Sequence, residues 1–508
     1  MLLLLPVLTG LLLMASFPRI DHGYLAWVAL TPLIVFVSLT KTRMRAFGGG
    51  FVAAAIAFSA LLTWVPKVLS HYGGMPVVLS WLAYALMAIV LACYPAIVCL
   101  LVKHWIMRGG KAFLLFFPVT WIMFEYVLSI FPFGGFPWFL LGYTQSRYLN
   151  IIQIADITGI YGLSFLILSA NTAIAWLILQ RNSRFSSYGP LVAAVLLITA
   201  SFFYGRMALK NWENTNPQFK TAMLQGNLSF DDSPKELLEK TQEGYIQMAD
   251  SIKSTNVDLL ILPEAPSPVF FQFDSVFRRS LEKLATRYPL GLVLNNINYT
   301  EIGSEERYSN SAFILDNKGR LTGIYDKMHL VPFGEYIPLK KIFFFSESIT
   351  KDVGEFTPGR EFKIVKIGKH PSNVIICFEA VFPSLVRRFV EGGSQLIINL
   401  TNDGWYGVSA APYQHLAITR LRAVENRRYL LRATNSGFSA IIEPTGRIQA
   451  STGLMTEAIC EGRFGFLKEK TLYTQYGDVF VFLCAIIVCC FTILALVKER
   501  KKRRLLNM

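Results

Sequence analysis

The stretch Val-Ile-Ile-Cys-Phe-Glu, residues 374–379, places a short apolar run directly before a thiol and a carboxylate. An apolar run that ends in polar residues is typical of a buried strand whose end carries a functional site. A cysteine there acts as a nucleophile once its thiol loses its proton. Cys377 is therefore a candidate nucleophile, with Glu379 beside it. A buried structural cysteine, or a disulfide to Cys460, is the alternative in an oxidising compartment.

Several further apolar runs have the length and composition of buried strands. They lie at residues 259–262, 291–294, 312–315, 396–400 and 439–442. Helix-like stretches occur between some of them, at residues 234–253, 275–288 and 414–426. Strands and helices in alternation predict an α/β layered fold.

Two other polar residues follow strand-like segments. Glu264 comes after the run 259–262 and has a proline on each side of it, and burial raises a carboxylate's pKa into the range of a general base. Lys327 lies among apolar and aromatic residues, where an ammonium can stabilise an oxyanion. Glu335, in a Pro-Phe-Gly turn, is placed to position Lys327 or an incoming nucleophile. Taken singly, a surface glutamate and a lysine with a buried stem explain the first two equally well.

Metal or nucleotide chemistry finds little support in the same region. Met328 and His329 have no second ligand spaced nearby, so no metal site is predicted. The sequence has no Gly-x-Ser-x-Gly elbow or Ser-His-Asp arrangement to compete with Cys377, and no glycine-rich phosphate loop.

The rest of the chain has the composition of a membrane protein. Of 508 residues, 53% are hydrophobic and only 16% are charged, which is too few to coat a wholly soluble surface. Eight apolar stretches are candidate transmembrane helices: 2–17, 24–40, 47–65, 76–102, 112–131, 160–180, 188–205 and 479–497. We therefore predict a seven-helix membrane bundle at 1–206, an α/β domain at 207–475, and an eighth helix with a basic tail at 476–508.

The net charge of +15 indicates topology more than a nucleic-acid partner. Lys and Arg concentrate at 41–45, 103–111 and 181–184 and in the tail from 498 onward, whereas the opposite short loops hold only Arg19, Lys67 and Arg147. Basic loops favour the cytoplasm. This predicts cytoplasmic termini and an α/β domain on the outer side of the inner membrane. The segment 2–17 lacks a basic start and a cleavage site, which favours a retained helix over a signal peptide.

Glu125 is an ionisable residue within the predicted helix 112–131. A charge that faces lipid is costly. We therefore expect Glu125 to face the interior of the bundle, where it is paired or near water.

The order Glu264, Lys327, Cys377, each at a strand end, resembles the nitrilase (carbon–nitrogen hydrolase) superfamily. That resemblance implies an α-β-β-α sandwich with a Glu-Lys-Cys triad. The whole chain resembles the apolipoprotein N-acyltransferase family, which completes bacterial lipoprotein maturation. The matching strings include 225–227, 401–407, 414–415, 420–427 and 433–437 in the α/β part, and Trp121, Glu125, 136–138, 142–145 and 159–162 in the apolar part.

This resemblance implies a two-step acyl transfer without a cofactor. Cys377 would attack the sn-1 ester of a phospholipid, with phosphatidylethanolamine as the implied donor, and the resulting thioester would acylate the α-amine of a diacylglyceryl-cysteine lipoprotein. Glu264 would move the protons and Lys327 would stabilise the oxyanion. Glu335 and Glu379 would support that geometry. The implied partners are the two lipid substrates and the bilayer, with no nucleic acid and no need for more than a monomer.

The resemblance also implies lipid contacts through Phe378, Trp405, Tyr406 and Trp138. The family usually has tyrosine where this chain has Phe378, so a hydrogen bond from that hydroxyl is in doubt here. The aromatic loops 131–138 and 343–345 either line a lipid entrance or anchor the helices at the membrane interface. The rival functions are a membrane-tethered amidase or nitrilase that uses water, and a transporter or lipid-binding scaffold with an inactive outer domain.

Overall fold

The structure is a computed structural model that describes residues 2–180, 188–213, 217–229, 231–265, 267–336 and 356–506. The chain divides into two compact units. The apolar unit comprises Met1–Pro66, Val77–Leu209 and Tyr476–Met508, and the α/β unit comprises Lys67–Pro76 and Lys210–Gln475.

Helices make up the apolar unit. Within the described residues they are Leu4–Ser16, Ala26–Ala29, Thr31–Leu39, Arg43–Leu61, Val77–Gly109, Phe117–Leu128, Leu149–Ile152, Ala155–Thr158, Ile160–Leu179, Gly189–Glu213 and Val479–Leu506. In the part of the chain that the structure describes, five spans are long and apolar enough to cross a membrane: Arg43–Leu61, Val77–Gly109, Lys111–Leu128, Ile160–Leu179 and Gly189–Trp212. They correspond to five of the eight predicted stretches. The spans at 2–17, 24–40 and 479–497 coincide with shorter apolar helices and stay predictions.

The predicted helix at 24–40 is interrupted. Ala26–Ala29 and Thr31–Leu39 are separate helices, and the Asn171 side-chain oxygen accepts hydrogen bonds from the backbone N–H groups of Leu30 and Thr31. Because a neighbouring side chain satisfies these amides, the chain can break there without leaving buried donors unpaired.

Glu125 lies in the interior of the apolar unit, as predicted. Its side chain is buried and accepts hydrogen bonds from the Trp121 indole at 3.1 Å and from the Leu141 backbone N–H at 2.8 Å. These donors compensate for the removal of a carboxylate from water.

Two six-stranded sheets form the α/β unit. The strands are β1 (Phe219–Gln225), β2 (Leu259–Ile261), β3 (Gly291–Ile302), β4 (Glu305–Leu315), β5 (Leu321–Asp326), β6 (Val365–Ile367), β7 (His370–Ile376), β8 (Ile397–Thr401), β9 (Leu430–Thr434), β10 (Ala440–Ile442), β11 (Ile448–Ser451) and β12 (Ala458–Phe464). The first sheet has the order β12-β1-β2-β3-β4-β5 and the second β11-β10-β9-β8-β7-β6. In each sheet three neighbouring strands are parallel, β1 to β3 and β7 to β9.

The apolar runs are unbroken because both faces of the central strands are buried. In β2, Leu259 and Ile261 join a core shared by the two sheets, whereas Leu260 faces a second core under the outer helices. Helices cover the outer faces, so the layers are α-β-β-α, as the resemblance to the nitrilase superfamily implied. These helices are Pro234–Glu239, Tyr245–Asp250, Ser275–Ala285, Pro383–Glu391 and Ala411–Asn426.

The predicted helix 234–253 is helical in the structure from Pro234 to Asp250. A π-helical turn at Lys240–Gly244 lies within it, between the α-helical segments Pro234–Glu239 and Tyr245–Asp250. A glycine at the end of that turn lowers the local helix propensity.

Candidate active site

Cys377 occupies a sharp turn between β7 and the short 3₁₀ helix Cys377–Val381. Its backbone φ is +50°, in the left-handed region that non-glycine residues rarely adopt. The side chain is buried, and Cys377 and Cys460 are both free thiols, as the nucleophile interpretation requires. A strained turn at a strand end presents a nucleophile toward a site while its backbone stays fixed.

Glu264 follows β2 of the first sheet, whereas Cys377 follows β7 of the second. Glu264 forms an isolated parallel bridge with Thr434. Burial and the charge of the Glu264 carboxylate raise the pKa of the Cys377 thiol. Glu264 Oε1 accepts from the Asn310 amide at 2.8 Å and Oε2 from the Asn402 backbone N–H at 3.0 Å. Burial raises the pKa of Glu264, although the nearby Lys327 ammonium opposes that shift.

Lys327 is the third member of the cluster and follows β5. Its side chain is 1% exposed, and Nζ donates to Glu335 Oε1 at 2.8 Å and lies 4.0 Å from Glu264 Oε1. Burial alone would lower its pKa, but the two carboxylates outweigh burial and hold the pKa above its ordinary value. Lys327 is therefore a permanent cation inside the site.

Glu335 fixes the position of that cation. Oε1 accepts from Lys327 and from the Asn310 amide, each at 2.8 Å, while Oε2 accepts from the Val331 backbone N–H at 2.8 Å. The Glu335 carboxylate thus restrains its own turn through the hydrogen bond from Val331. The supporting role of Glu335 in catalysis stays a prediction.

Glu379 acts at a different point from Glu335. One carboxylate oxygen accepts from the Tyr325 hydroxyl and from the Met328 and His329 backbone N–H groups, at 2.8, 2.8 and 3.1 Å. The other accepts from the Ile376 backbone N–H at 2.7 Å. Glu379 therefore joins the segment after Lys327 to the turn that holds Cys377, and it is fully buried.

Asn310 is the residue in this cluster that the sequence analysis missed. It lies in β4, immediately before the predicted run 312–315, and its amide donates to both Glu264 and Glu335. A buried amide between two carboxylates holds them in place through charge-assisted hydrogen bonds. The available signal was the polar string Ser-Asn-Ser at 309–311, which interrupts an otherwise strand-like stretch.

The predicted lipid-contacting aromatics of the α/β unit differ in burial, and their lipid contacts stay a prediction. Phe378 is buried edge-on against Phe382, and Tyr406 is buried with its ring centroid 6.5 Å from that of His415. Trp405 is half-buried and packs against Tyr72.

Trp138 belongs to the apolar unit. It is buried beside Trp64 and Phe136. The aromatic residues at 343–345 lie outside the described residues, so their role as a lipid entrance stays a prediction.

The cluster can carry out nucleophilic acyl transfer. A thiol is placed next to a carboxylate whose pKa is raised, and a buried ammonium stands beside both. Moving the thiol proton to Glu264 leaves the net charge of the buried site unchanged, because the proton stays within the cluster. Proton transfer during attack is then favoured over a free thiolate.

Comparison with known proteins identifies the family of this chain. Residues 9–173 match the model of the apolipoprotein N-acyltransferase N-terminal domain, and residues 220–464 match that of the carbon-nitrogen hydrolase domain. An apolipoprotein N-acyltransferase of Geobacter metallireducens is 38% identical over 95% of this chain and 92% of its own. That of Methylococcus capsulatus is 31% identical over 96% and 95%, and that of Thermotoga maritima 30% over 96% and 92%. This chain therefore belongs to the apolipoprotein N-acyltransferase family.

Proposed function

We propose that this protein is an acyltransferase that moves an acyl chain from a phospholipid to the N-terminal α-amine of diacylglyceryl-cysteine in lipoproteins. The observation that supports this most directly is the meeting of Glu264, Lys327 and Cys377 at three strand ends in one buried cluster. The family relationship supplies the substrate class, and the cluster supplies the chemistry.

In the first step, the Cys377 sulfur attacks the sn-1 ester carbonyl of the phospholipid, with phosphatidylethanolamine as the proposed donor. Glu264 accepts the thiol proton as the C–S bond forms, and the Lys327 ammonium stabilises the tetrahedral oxyanion. When the ester C–O bond breaks, the proton on Glu264 passes to the departing oxygen. The products are a lysophospholipid and a thioester on Cys377.

In the second step, the free α-amine of the lipoprotein attacks the thioester carbonyl. Glu264 takes a proton from the attacking nitrogen and returns it to the Cys377 sulfur as the C–S bond breaks. Lys327 again faces the oxyanion. The acceptor becomes an amide and the enzyme returns to its starting state. A single chain contributes each of these groups, so a monomer suffices for the reaction.

Both substrates carry long acyl chains, which explains the attached apolar unit. Transferring a lipid chain out of the bilayer costs roughly 0.8 kcal/mol per CH₂. We place residues 207–475 on the periplasmic side of the inner membrane and both termini in the cytoplasm. The basic loops support this orientation.

The orientation is tested by cysteine labelling of the full chain. Lys318 and Lys41 are both exposed. A membrane-impermeant maleimide should label Lys318→Cys in intact spheroplasts and Lys41→Cys only after lysis. The reverse pattern would overturn the proposed orientation.

The reaction itself is tested by intact-mass spectrometry. Purified protein incubated with labelled phospholipid should gain one acyl group, and a diacylated lipopeptide should then remove it and become N-acylated. Cys377→Ala should gain no acyl group, whereas the matched control Cys460→Ala, also a buried cysteine of the α/β unit, should behave as wild type. Release of free fatty acid without N-acylation would favour the water-using hydrolase.

A further inference from the structure

The hairpin of β3 and β4 extends past the other strands of its sheet. β2 pairs with β3 only as far as Val293, and β5 pairs with β4 only as far as Ser311. The core between the two sheets contains Val293 and Ala312 from this hairpin, together with Cys377 from the facing sheet. Residues 295–310, which we call the hairpin arm, therefore continue beyond that core on the side where the candidate catalytic cluster lies.

The alternation of side chains along a strand shows which residues of the arm lie on the inner face, the face that carries the core. On β4, Asn310 and then Tyr308 follow Ala312 on this face. The pairing places Ile297 opposite Asn310 and Tyr299 opposite Tyr308. Because the Asn310 amide contacts the catalytic cluster, these three apolar and aromatic side chains begin at the cluster and lead away from it.

The two faces of the hairpin arm differ in burial and in polarity. The polar side chains of Asn298 and Ser309, on the outer face, are buried. On the inner face, Ile297 and Tyr299 are partly exposed and Tyr308 is 37% exposed. The inner face of a sandwich normally carries the core, so an apolar inner face that reaches solvent is unusual. Such a surface beside an active site is typical of a site for an apolar ligand.

The loop that follows β2 adds two more rings to this surface. The ring centroid of Phe270 lies 6.4 Å from that of Tyr308, and the centroid of Phe273 lies 5.4 Å from that of Tyr299. The loop is held to β3, because the Tyr299 backbone N–H donates to the Gln272 side chain at 2.7 Å. Phe273 is nevertheless 64% exposed. We call this surface the aromatic strip; it consists of Ile297, Tyr299, Tyr308, Phe270 and Phe273.

Glu306 marks the far end of the aromatic strip. It follows Tyr308 on the same face and accepts a hydrogen bond from the Tyr308 hydroxyl at 3.1 Å, while its other oxygen lies 3.5 Å from the Tyr299 hydroxyl. From Asn310 to Glu306 a strand extends about 14 Å. One acyl chain spans half of the hydrocarbon core of a bilayer, which is about 15 Å. The strip therefore has both the length and the composition that a single acyl chain requires.

We propose that the aromatic strip binds the acyl chain that is transferred and selects donors by the length of that chain. This inference rests on the proposed function, which places the acyl carbonyl at Cys377. The chain then leads past Asn310 and along the rings of the hairpin arm. Glu306 sets the upper limit of length, because a longer chain would bring its methyl end against a carboxylate. The strip does not touch the reacting atoms, so it affects which chain binds and leaves the chemical step unchanged.

The test is a competition between two donors in the full-length protein. Equal amounts of dipalmitoyl- and dilauroyl-phosphatidylethanolamine are supplied in the same detergent micelles, and intact mass distinguishes the palmitoyl from the lauroyl acyl-enzyme. One buried methylene contributes about fourfold to binding, so wild type should favour the palmitoyl donor. The double variant Phe273→Ser/Tyr308→Ser should lose about tenfold of that preference. Its rate at saturating donor should equal that of wild type.

Val276→Ser provides the matched control. Val276 is 62% exposed, much like Phe273, but it lies on the helix Ser275–Ala285 outside the strip. This variant should keep the wild-type preference. Phe273→Ser alone changes one exposed side chain, so it should lose part of the preference without a change in melting temperature, and it serves if the double variant does not fold.

A change at the far end should have the opposite effect. Glu306→Leu lengthens the apolar surface, so it should increase the preference for the palmitoyl donor. Glu305→Leu, at an exposed carboxylate on the other face of β4, should not. If the preference is unchanged in Phe273→Ser and in the double variant, or if Val276→Ser loses as much, the strip does not bind the chain. If wild type forms no acyl-enzyme from either donor, the proposed function fails instead.

Photocrosslinking locates the chain without requiring the reaction, and so separates this inference from the proposed function. The probe is a phosphatidylethanolamine with a diazirine at the end of its sn-1 chain, bound to Cys377→Ala. It should crosslink to peptides that contain Phe273 or Tyr308, and adding Phe273→Ser and Tyr308→Ser should reduce these crosslinks several-fold. Crosslinks confined to other parts of the chain would leave the strip to another occupant, such as a second copy or the bilayer surface, and would overturn the inference.

Discussion

Two carboxylates interact with the Cys377 thiol, and their pKa values move in opposite directions. Burial raises the pKa of Glu264, and the Lys327 ammonium, which lies 4.0 Å away and is hydrogen bonded to Glu335, does not outweigh burial. Burial also acts on Asp403, but the Arg432 guanidinium and His415 outweigh it and lower the pKa. Arg432 lies only 2.7 Å from the Asp403 carboxylate, so the distance to the cation accounts for the difference.

The opposite pKa shifts indicate different roles for the two carboxylates, proton transfer for Glu264 and structural support for Asp403. A carboxylate with a raised pKa accepts a proton readily, which a general base must do. A carboxylate with a lowered pKa stays ionised and serves as a fixed hydrogen-bond acceptor. Glu264 is therefore expected to determine the rate, and Asp403 the stability of the α/β unit.

The largest expected effect is on the rate when the base is removed. Glu264→Gln keeps the size and the acceptor for Asn310 but cannot take the thiol proton. Since general-base catalysis contributes about 10²- to 10⁴-fold, acyl-enzyme formation should slow by that factor in single-turnover mass spectrometry. The melting temperature should stay within a few degrees of wild type. Glu301→Gln, at an exposed carboxylate of β3, is the control and should leave both quantities unchanged.

Asp403→Asn should show the opposite pattern, with loss of stability as its main effect. The substitution leaves the buried Arg432 charge without its carboxylate, and breaking a buried ion pair in this way costs about 3–5 kcal/mol. We expect the melting temperature of the purified protein to fall by several degrees. A wild-type melting temperature for Asp403→Asn would show that the two carboxylates do not differ in the way described.

The sequence predicted some strands of the α/β unit and missed others, and the burial of each strand explains the difference. The strands β2, β3, β7 and β8 were expected because their two buried faces give unbroken apolar runs. β9 was missed because Arg432, a buried charge, lies at its centre, where it pairs with Asp403 across the fold. A hydrophobicity pattern does not predict a buried strand such as β9, which contains a charge neutralised by a residue distant in sequence.

The dependence on contacts between distant residues also explains which residues of the site were predicted and which were not. Glu264, Lys327 and Cys377 were predictable because each stands at the end of a strand-like segment within a distinctive string. Asn310 and Asp403 act through contacts with residues 46 and 29 positions away, Glu264 and Arg432 respectively. Tertiary structure alone brings such pairs together.

Asn310 gives a smaller effect that sharpens the role of Glu264. Asn310→Ala removes one amide donor from both Glu264 and Glu335. Since hydrogen bonds to charged groups contribute about 1.5–3 kcal/mol, acyl-enzyme formation should slow by roughly 10- to 100-fold. The dependence of the acylation rate on alkaline pH should not change, because the Lys327 ammonium keeps its ion pair with Glu335. Thr300→Ala, in β3, is a control outside the hydrogen-bonded cluster and should retain the wild-type rate.

The smallest effect is a separation in pH between loss of activity and loss of structure. The reaction needs ionised Glu264, whose pKa lies above the usual value of about 4.3, so the acylation rate should fall up to tenfold per pH unit below that raised pKa. The pKa of Asp403 is shifted in the opposite direction, so its stabilisation is lost at a lower pH than the rate. Its pKa is lowered by Arg432 and His415 against the effect of burial, so the stabilisation is fully present above about pH 3.9 and is lost only as pH falls toward the folded-state pKa.

Between these two limits the protein should be inactive but folded. Acylation rates and melting temperatures measured across the same pH series in matched buffers would show this window, and activity should return on neutralisation. In Glu264→Gln the residual acylation rate should not fall over this pH range, because it no longer depends on that carboxylate. If rate and melting temperature instead fall together at the same pH, one ionisation controls both, and the division between a catalytic and a supporting carboxylate is wrong.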